Sequence, residues 1–136
     1  MPTTLDSDTI TYGIRVQVFP SYLPEHSDPV RDQYVFSYRI VITNNSDLSV
    51  KLINRHWVII NADGERSEVR GPGVVGLQPE LGPGDVHEYQ SLCPLDTVWG
   101  TMEGEYEMQD DEGRRFEAEI GRFYLAINSE GEVESS

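Results

Sequence analysis

The chain has 136 residues and a formal charge of −14, from 24 acidic against 10 basic side chains. That length suits one domain with a single core, and the charge excludes nonspecific attraction to nucleic acid or an anionic membrane surface. Cys93, the only cysteine, excludes an internal disulfide and a cysteine-based zinc site.

Met1 to Asp8 has neither a basic start nor an apolar stretch, and no later run approaches the roughly 20 apolar residues of a spanning helix. A soluble, cytoplasmic protein without membrane insertion is expected. From Ile10 the chain alternates strictly, with Ile10, Tyr12, Ile14, Val16 and Val18 on one side, which predicts a half-buried strand closed by Pro20. After a polar connection, Tyr34 to Thr43 places Tyr34, Phe36, Tyr38, Ile40 and Ile42 on one face. Asn44 to Asp47 suits a turn and returns the chain into Val50 to Ile53. Arg55 to Ile60 is apolar on both sides toward its end, as an internal strand would be. Asp63-Gly64 signals a hairpin into a strand over Glu65 to Arg70.

Gly71-Pro72-Gly73-Val74-Val75-Gly76 spells G-x-G-x-x-G, the phosphate-binding fingerprint of dinucleotide enzymes. That fingerprint works by turning a strand into a helix whose N-terminal amides hold pyrophosphate. Pro79, Gly82, Pro83 and Gly84 forbid a helix here, so a shaped β-loop is the expectation. Beyond it, Val86 to Ser91 and Thr101 to Gln109 read as strands. In the second, Met102, Gly104, Tyr106 and Met108 oppose Glu103, Glu105 and Glu107. Asp110 to Gly113 turns into a last strand over Arg115 to Ile127. Its apolar parity changes between Ile120 and Phe123, which predicts a bulge near Gly121. Seven or eight short strands without helical periodicity predict an all-β fold, an antiparallel β-sandwich, with a small closed barrel as the alternative. The domain is placed at residues 10–127, between an N-terminal extension over 1–9 and an acidic, disordered tail over 128–136.

No catalytic signature emerges. Cys93 precedes Pro94 without a local nucleophile motif and reads as a small buried residue. His26, His56 and His87 lack ligand spacing, and His56 beside Trp57 reads as a hydrogen-bonded structural imidazole. Glu103, Glu105 and Glu107 read as a solvated face, and no dedicated metal site or cofactor is expected. Arg55, Arg66 and Arg70 gather before the glycine loop. Either they form a basic island for a phosphate or a partner's carboxylates, or they pair with Glu65, Glu68 and Glu80.

Four blocks together resemble the ApaG family: Tyr34 to Ile40, Arg55 to Ile59, Val69 to Pro79 and Gly100 to Tyr106. The resemblance spans about residues 12–127 and implies an immunoglobulin or fibronectin type III-like sandwich. It brings no catalytic mechanism. It implies an interaction module, as related domains look in eukaryotic F-box proteins and a polymerase-associated protein. Family naming implies an indirect role in cobalt and magnesium homeostasis, exerted through a partner. Cys93 to Trp99 departs from the family pattern. The expectation is therefore a non-enzymatic protein-interaction or accessory module with a protein partner, acting through Arg70, Gly71, Gly73, Val75 and Gly76. A small-anion or nucleotide-binding loop on the same residues is the alternative, and a metal-responsive accessory protein the third reading.

Overall fold

In the computed structural model, which describes residues 5–127, nine strands follow in chain order among the described residues. They are β1 (Ser7–Thr11), β2 (Ile14–Tyr22), β3 (Tyr34–Asn44), β4 (Val50–Asn61), β5 (Arg66–Pro72), β6 (Glu80–Leu81), β7 (Val86–Leu95), β8 (Trp99–Asp110) and β9 (Arg115–Ala126). Two 3-10 turns, Pro24–His26 and Pro29–Arg31, lie between β2 and β3. The strands form two antiparallel sheets, β1-β2-β3-β7 and β5-β4-β8-β9, with β6 adding to β4 beyond the end of β5. They face each other as the expected β-sandwich, not a closed barrel.

Where alternation predicts one strand from Ile10 to Val18, the structure has a hairpin. Thr11 pairs with Ile14, and Tyr12 and Gly13 make the two-residue loop with φ of 49° and 81°. Two positive φ angles match the twist of the flanking strands. Because the loop holds an even number of residues, polar-apolar alternation passes through it unbroken, yet Ile10 and Tyr12 end up exposed while Ile14, Val16 and Val18 are buried. The first strand begins at Ser7, so residues 7–9, assigned to an extension, belong to the sheet. The proposed tail over 128–136 lies outside the described residues.

Two further boundaries move. Pro20 does not close β2, which runs on to Tyr22. Val18 carbonyl accepts from Asp6 N–H, so the residue of equal parity, Pro20, would aim its missing N–H where β1 has already ended. Val50 to Ile53 and Arg55 to Ile60 are one strand, β4, whose register shifts at Ile53. The bulge expected near Gly121 is present: Met102 pairs with Phe123 and Gly104 with Ile120, leaving Gly121 and Arg122 opposite Glu103. It lets Ala118, Ile120, Phe123 and Leu125 all face the core.

Between the sheets Trp57 is 3 % exposed. Its indole meets Tyr38 and Phe123 edge-on at centroid distances of 5.4 and 5.8 Å. Opposite Trp57 on β8 stands Gly104, where a Cβ would fall 1.9 Å from the His56 carbonyl oxygen, so no larger residue fits.

One side of the sandwich is sewn shut by side chains. Ser7 Oγ donates to the Gly121 carbonyl (2.8 Å) and Thr9 Oγ1 to the Glu119 carbonyl (2.7 Å). Glu119 N–H donates to Thr11 Oγ1 (3.1 Å) and Tyr124 N–H to Asp6 Oδ2 (2.7 Å). The outer edge of β9 is thereby capped.

Candidate functional site

The glycine segment leaves β5, folds into a second tight hairpin and docks on the bulge of β4. Val74 and Leu77 exchange backbone hydrogen bonds of 2.8 and 3.0 Å across Val75 and Gly76, whose φ angles are 48° and 78°. The Ile53 carbonyl, turned out by the bulge, accepts from Gly73 N–H (2.9 Å) and Gln78 Nε2 (2.9 Å). Gly73 is obligatory: at φ 61°, an added Cβ would lie 2.2 Å from the Leu77 carbonyl oxygen. Val74 plugs into the core, an anchor hidden inside the motif that sequence reasoning did not single out. Val75 and Leu77 stand out in solvent, 62 and 57 % exposed.

Arg55 lies on the inner side because the bulge at Ile53 reverses parity. Its Nη1 donates to the Pro72 and Gly73 carbonyls at 3.0 and 3.1 Å. Gly71 is small enough to let that guanidinium pass within van der Waals distance of the β5 backbone. This is the reverse of a phosphate cradle, since the amides of Gly73, Val74 and Leu77 are spent internally and two loop carbonyls face a cation.

The three arginines do not form one island. Arg66 and Arg70 extend on the outer face of β5 and both reach Glu68, at 3.0 and 3.4 Å. Glu65 and Glu80, named as alternative partners, take no part in those pairs. Across the same face His56 stands between two carboxylates, with Nδ1 2.6 Å from Glu105 and Nε2 2.8 Å from Glu68. Carboxylates only accept, so both ring nitrogens are satisfied only when protonated. The bonds from Glu105 and then Glu68 therefore raise the imidazole above its ordinary value, while the His56 bond lowers Glu68.

The glutamate ladder on β8 is committed in the same manner. Glu103 accepts from Arg122 (2.6 Å), Glu105 from His56, and Glu107 from Asn54 (2.6 Å) and Arg115 (3.1 Å). Among the described residues no group of three or more His, Cys, Asp or Glu is arranged to hold a metal. Cys93 is buried on the inner face of β7, and burial pushes its thiol up to about 11, away from thiolate chemistry. Tyr106, fully buried, meets the Tyr89 hydroxyl at 2.5 Å, and burial raises both phenols. No helix among the described residues is long and apolar enough to cross a membrane.

A family sequence model described as the ApaG domain matches residues 24–110. The chain belongs to the ApaG family. It is 54 % identical over 116 residues to Protein ApaG of Rhizobium leguminosarum bv. trifolii, covering 85 % of this chain and 89 % of that one. Protein ApaG of Pseudomonas putida F1 is 50 % identical over 116 residues, with 85 and 92 % covered. A Bordetella pertussis structure called ApaA superposes with a TM-score of 0.83 at 46 % identity, covering 88 % of this chain and 97 % of that one. The four blocks of ApaG resemblance occupy the first part of β3, the middle of β4, the end of β5 with its hairpin, and the first half of β8. The ApaG glycine motif thus lies where the hairpin closes over the β4 bulge.

Proposed function

We propose that this chain is a non-enzymatic protein-interaction module of the ApaG family, with the hairpin over residues 73–77 and the adjoining Arg70 as its contact surface. The supporting observation is the tip itself. Val75 is a β-branched residue at φ 48°, a conformation that costs about 1–2 kcal/mol. It is held there by the buried Val74 below and the Arg55 clamp behind, and it keeps an apolar side chain in water. Strain held in place by its surroundings is a signature of a surface shaped for contact. Arg70 adds an exposed guanidinium suited to a carboxylate or planar group. The buried, protonated Cys93 thiol and the paired glutamates support a role without catalysis. A part in cobalt and magnesium homeostasis is then exerted through the partner. One free cysteine fits a reducing cytoplasm.

The test is affinity capture from the native cell extract with wild type, Arg70→Ala and Val75→Asn. Both variants should lose the same protein partner. Asparagine tolerates positive φ, so Val75→Asn should also raise stability by about 1 kcal/mol. Stability rising while capture falls separates a contact role from a folding role. Saturable nucleotide binding by calorimetry, lost in Arg70→Ala with partner capture unchanged, would replace this reading with the anion-binding alternative.

A further inference from the structure

The side of the sandwich opposite the β1–β9 seam carries a long strand edge that no described strand covers. The ladder between β3 and β7 runs unbroken for ten pairs, from Thr43 and Val86 to Tyr34 and Leu95. Asn44 N–H donates to the Asp85 carbonyl, so odd-numbered residues of β7 face β3. The N–H groups of Val86, Glu88, Gln90 and Leu92 therefore point away from the sheet, together with their carbonyls. No described strand lies beyond them.

This edge lacks the protection that the other edges have. Backbone groups of β9 are capped by side chains from the β1 segment. The outward residues of β5 are Arg66, Glu68 and Arg70, a charged row that discourages strand addition, and the strand ends in Pro72. Along β7 the outward positions include Val86 and Leu92, 58 and 53 % exposed. Their single charged member, Glu88, is neutralised by Arg39 at 2.7 Å. Only Pro94, at the far end, interrupts the row of donors.

At that far end lies a cleft of about 580 Å³ between the two sheets. Val35, Ile59 and Pro94 supply apolar walls, and Asp32, Glu65 and Asp96 line the same cleft. Asn61 Nδ2 donates to Glu65 Oε1 (2.7 Å) and to Asp96 Oδ1 (3.0 Å), holding two carboxylates side by side. Arg66, the one cation among the described residues lining the cleft, is engaged by Glu68 at 3.0 Å. An aliphatic stem with a cationic head matches apolar walls under an anionic rim.

We propose that β7 accepts an extended peptide as an added strand, and that the cleft takes a lysine or arginine side chain of that peptide. This rests on the interaction-module reading but names a second surface and the chemistry of its occupant. Main-chain hydrogen bonds to β7 supply affinity and the cleft supplies selectivity, the division seen in strand-addition recognition. A charge of −14 favours a basic peptide over a second copy of this chain.

The probe is a capped peptide of about ten residues, alternating threonine and valine with one lysine, matched to the ten-pair length of β7. A glutamate-for-lysine version and a version N-methylated at alternate backbone amides, in both phases, are controls. At saturation, the Val86, Glu88, Gln90 and Leu92 amides should exchange at least about tenfold more slowly. The glutamate peptide should bind about tenfold more weakly, and the Asp96→Asn/Glu65→Gln double variant should lose that preference. The N-methylated peptide and Gln90→Pro, which deletes one outward N–H, should abolish binding. Should Gln90→Pro fail to fold, the N-methylated peptide, which loses its donors to the β7 carbonyls, tests the same strand pairing on the unaltered protein. Unprotected outward amides, or equal binding of the N-methylated peptide, would overturn the proposal. So would concentration-dependent protection without peptide, which would assign the edge to a second copy. Val75→Asn leaves β7 untouched, so loss of capture with intact peptide binding separates the two surfaces.

Discussion

On the β1–β9 side of the sandwich, hydroxyls of Ser7, Thr9 and Thr11 and the Asp6 carboxylate satisfy the backbone of the last strand. On the β5–β7 side, two edge strands turn their backbone groups to water. The first arrangement closes the molecule with short side chains from a strand that contributes little apolar burial of its own. The second leaves an edge open beside the strained hairpin. Edge strands invite pairing unless they are blocked, so the asymmetry separates a side built for closure from a side available for contact.

The largest expected effect lies beneath both sides. Trp57→Ala should cost about 3–5 kcal/mol in denaturant unfolding, because its ring bridges Tyr38 of one sheet and Phe123 of the other. A loss under about 1 kcal/mol would mean that the sheets do not depend on a shared aromatic centre.

A seam-only perturbation comes next. Ser7→Ala with Thr11→Val should cost about 1–2 kcal/mol in total. Exchange of the Glu119 amide should accelerate, while the amides on the β3 side of β7 stay as slow as before. Equal acceleration on both sides would erase the distinction drawn between them.

The smallest effect is a pH dependence on the outer face. His56 is raised above its ordinary 6.5 by Glu105 and Glu68, so its contribution is complete below that value and fades as pH rises through the raised folded value. Glu68 is lowered from 4.5, so its contribution is present above that value and fades as pH falls through the lowered one. Stability from this cluster should therefore be greatest between about pH 4.5 and 6.5. His56→Gln should remove the alkaline limb of the curve. A wild-type melt with no slope above pH 6.5 would show that the imidazole gains nothing from its two carboxylates.

How far the sequence discloses these features depends on parity. The strand read over Thr101 to Gln109, which the structure extends to Trp99–Asp110, and the Gly121 bulge are legible because every core residue shows its face by alternation, and a parity change has one economical cause. The Tyr12-Gly13 hairpin was concealed because a two-residue loop preserves alternation and tyrosine is not a usual positive-φ residue. Proximity in the chain groups Arg55 with Arg66 and Arg70, whereas the Ile53 bulge sends it to the opposite face. The glycine loop was legible as a turn without a helix. The role of Val74 as its anchor was not, since nothing in G-x-G-x-x-G says which variable position is buried. The free edge of β7 is a property of sheet order, which no local pattern carries.

The buried Cys93 has an experimental consequence of its own. Its sulfur lies on the inner face of the same edge strand, so a small alkylating reagent reaches it only when β7 lifts from the core. With no other thiol in the chain, the labelling rate is a built-in clock for the opening of that single strand, readable by intact mass in unmodified protein.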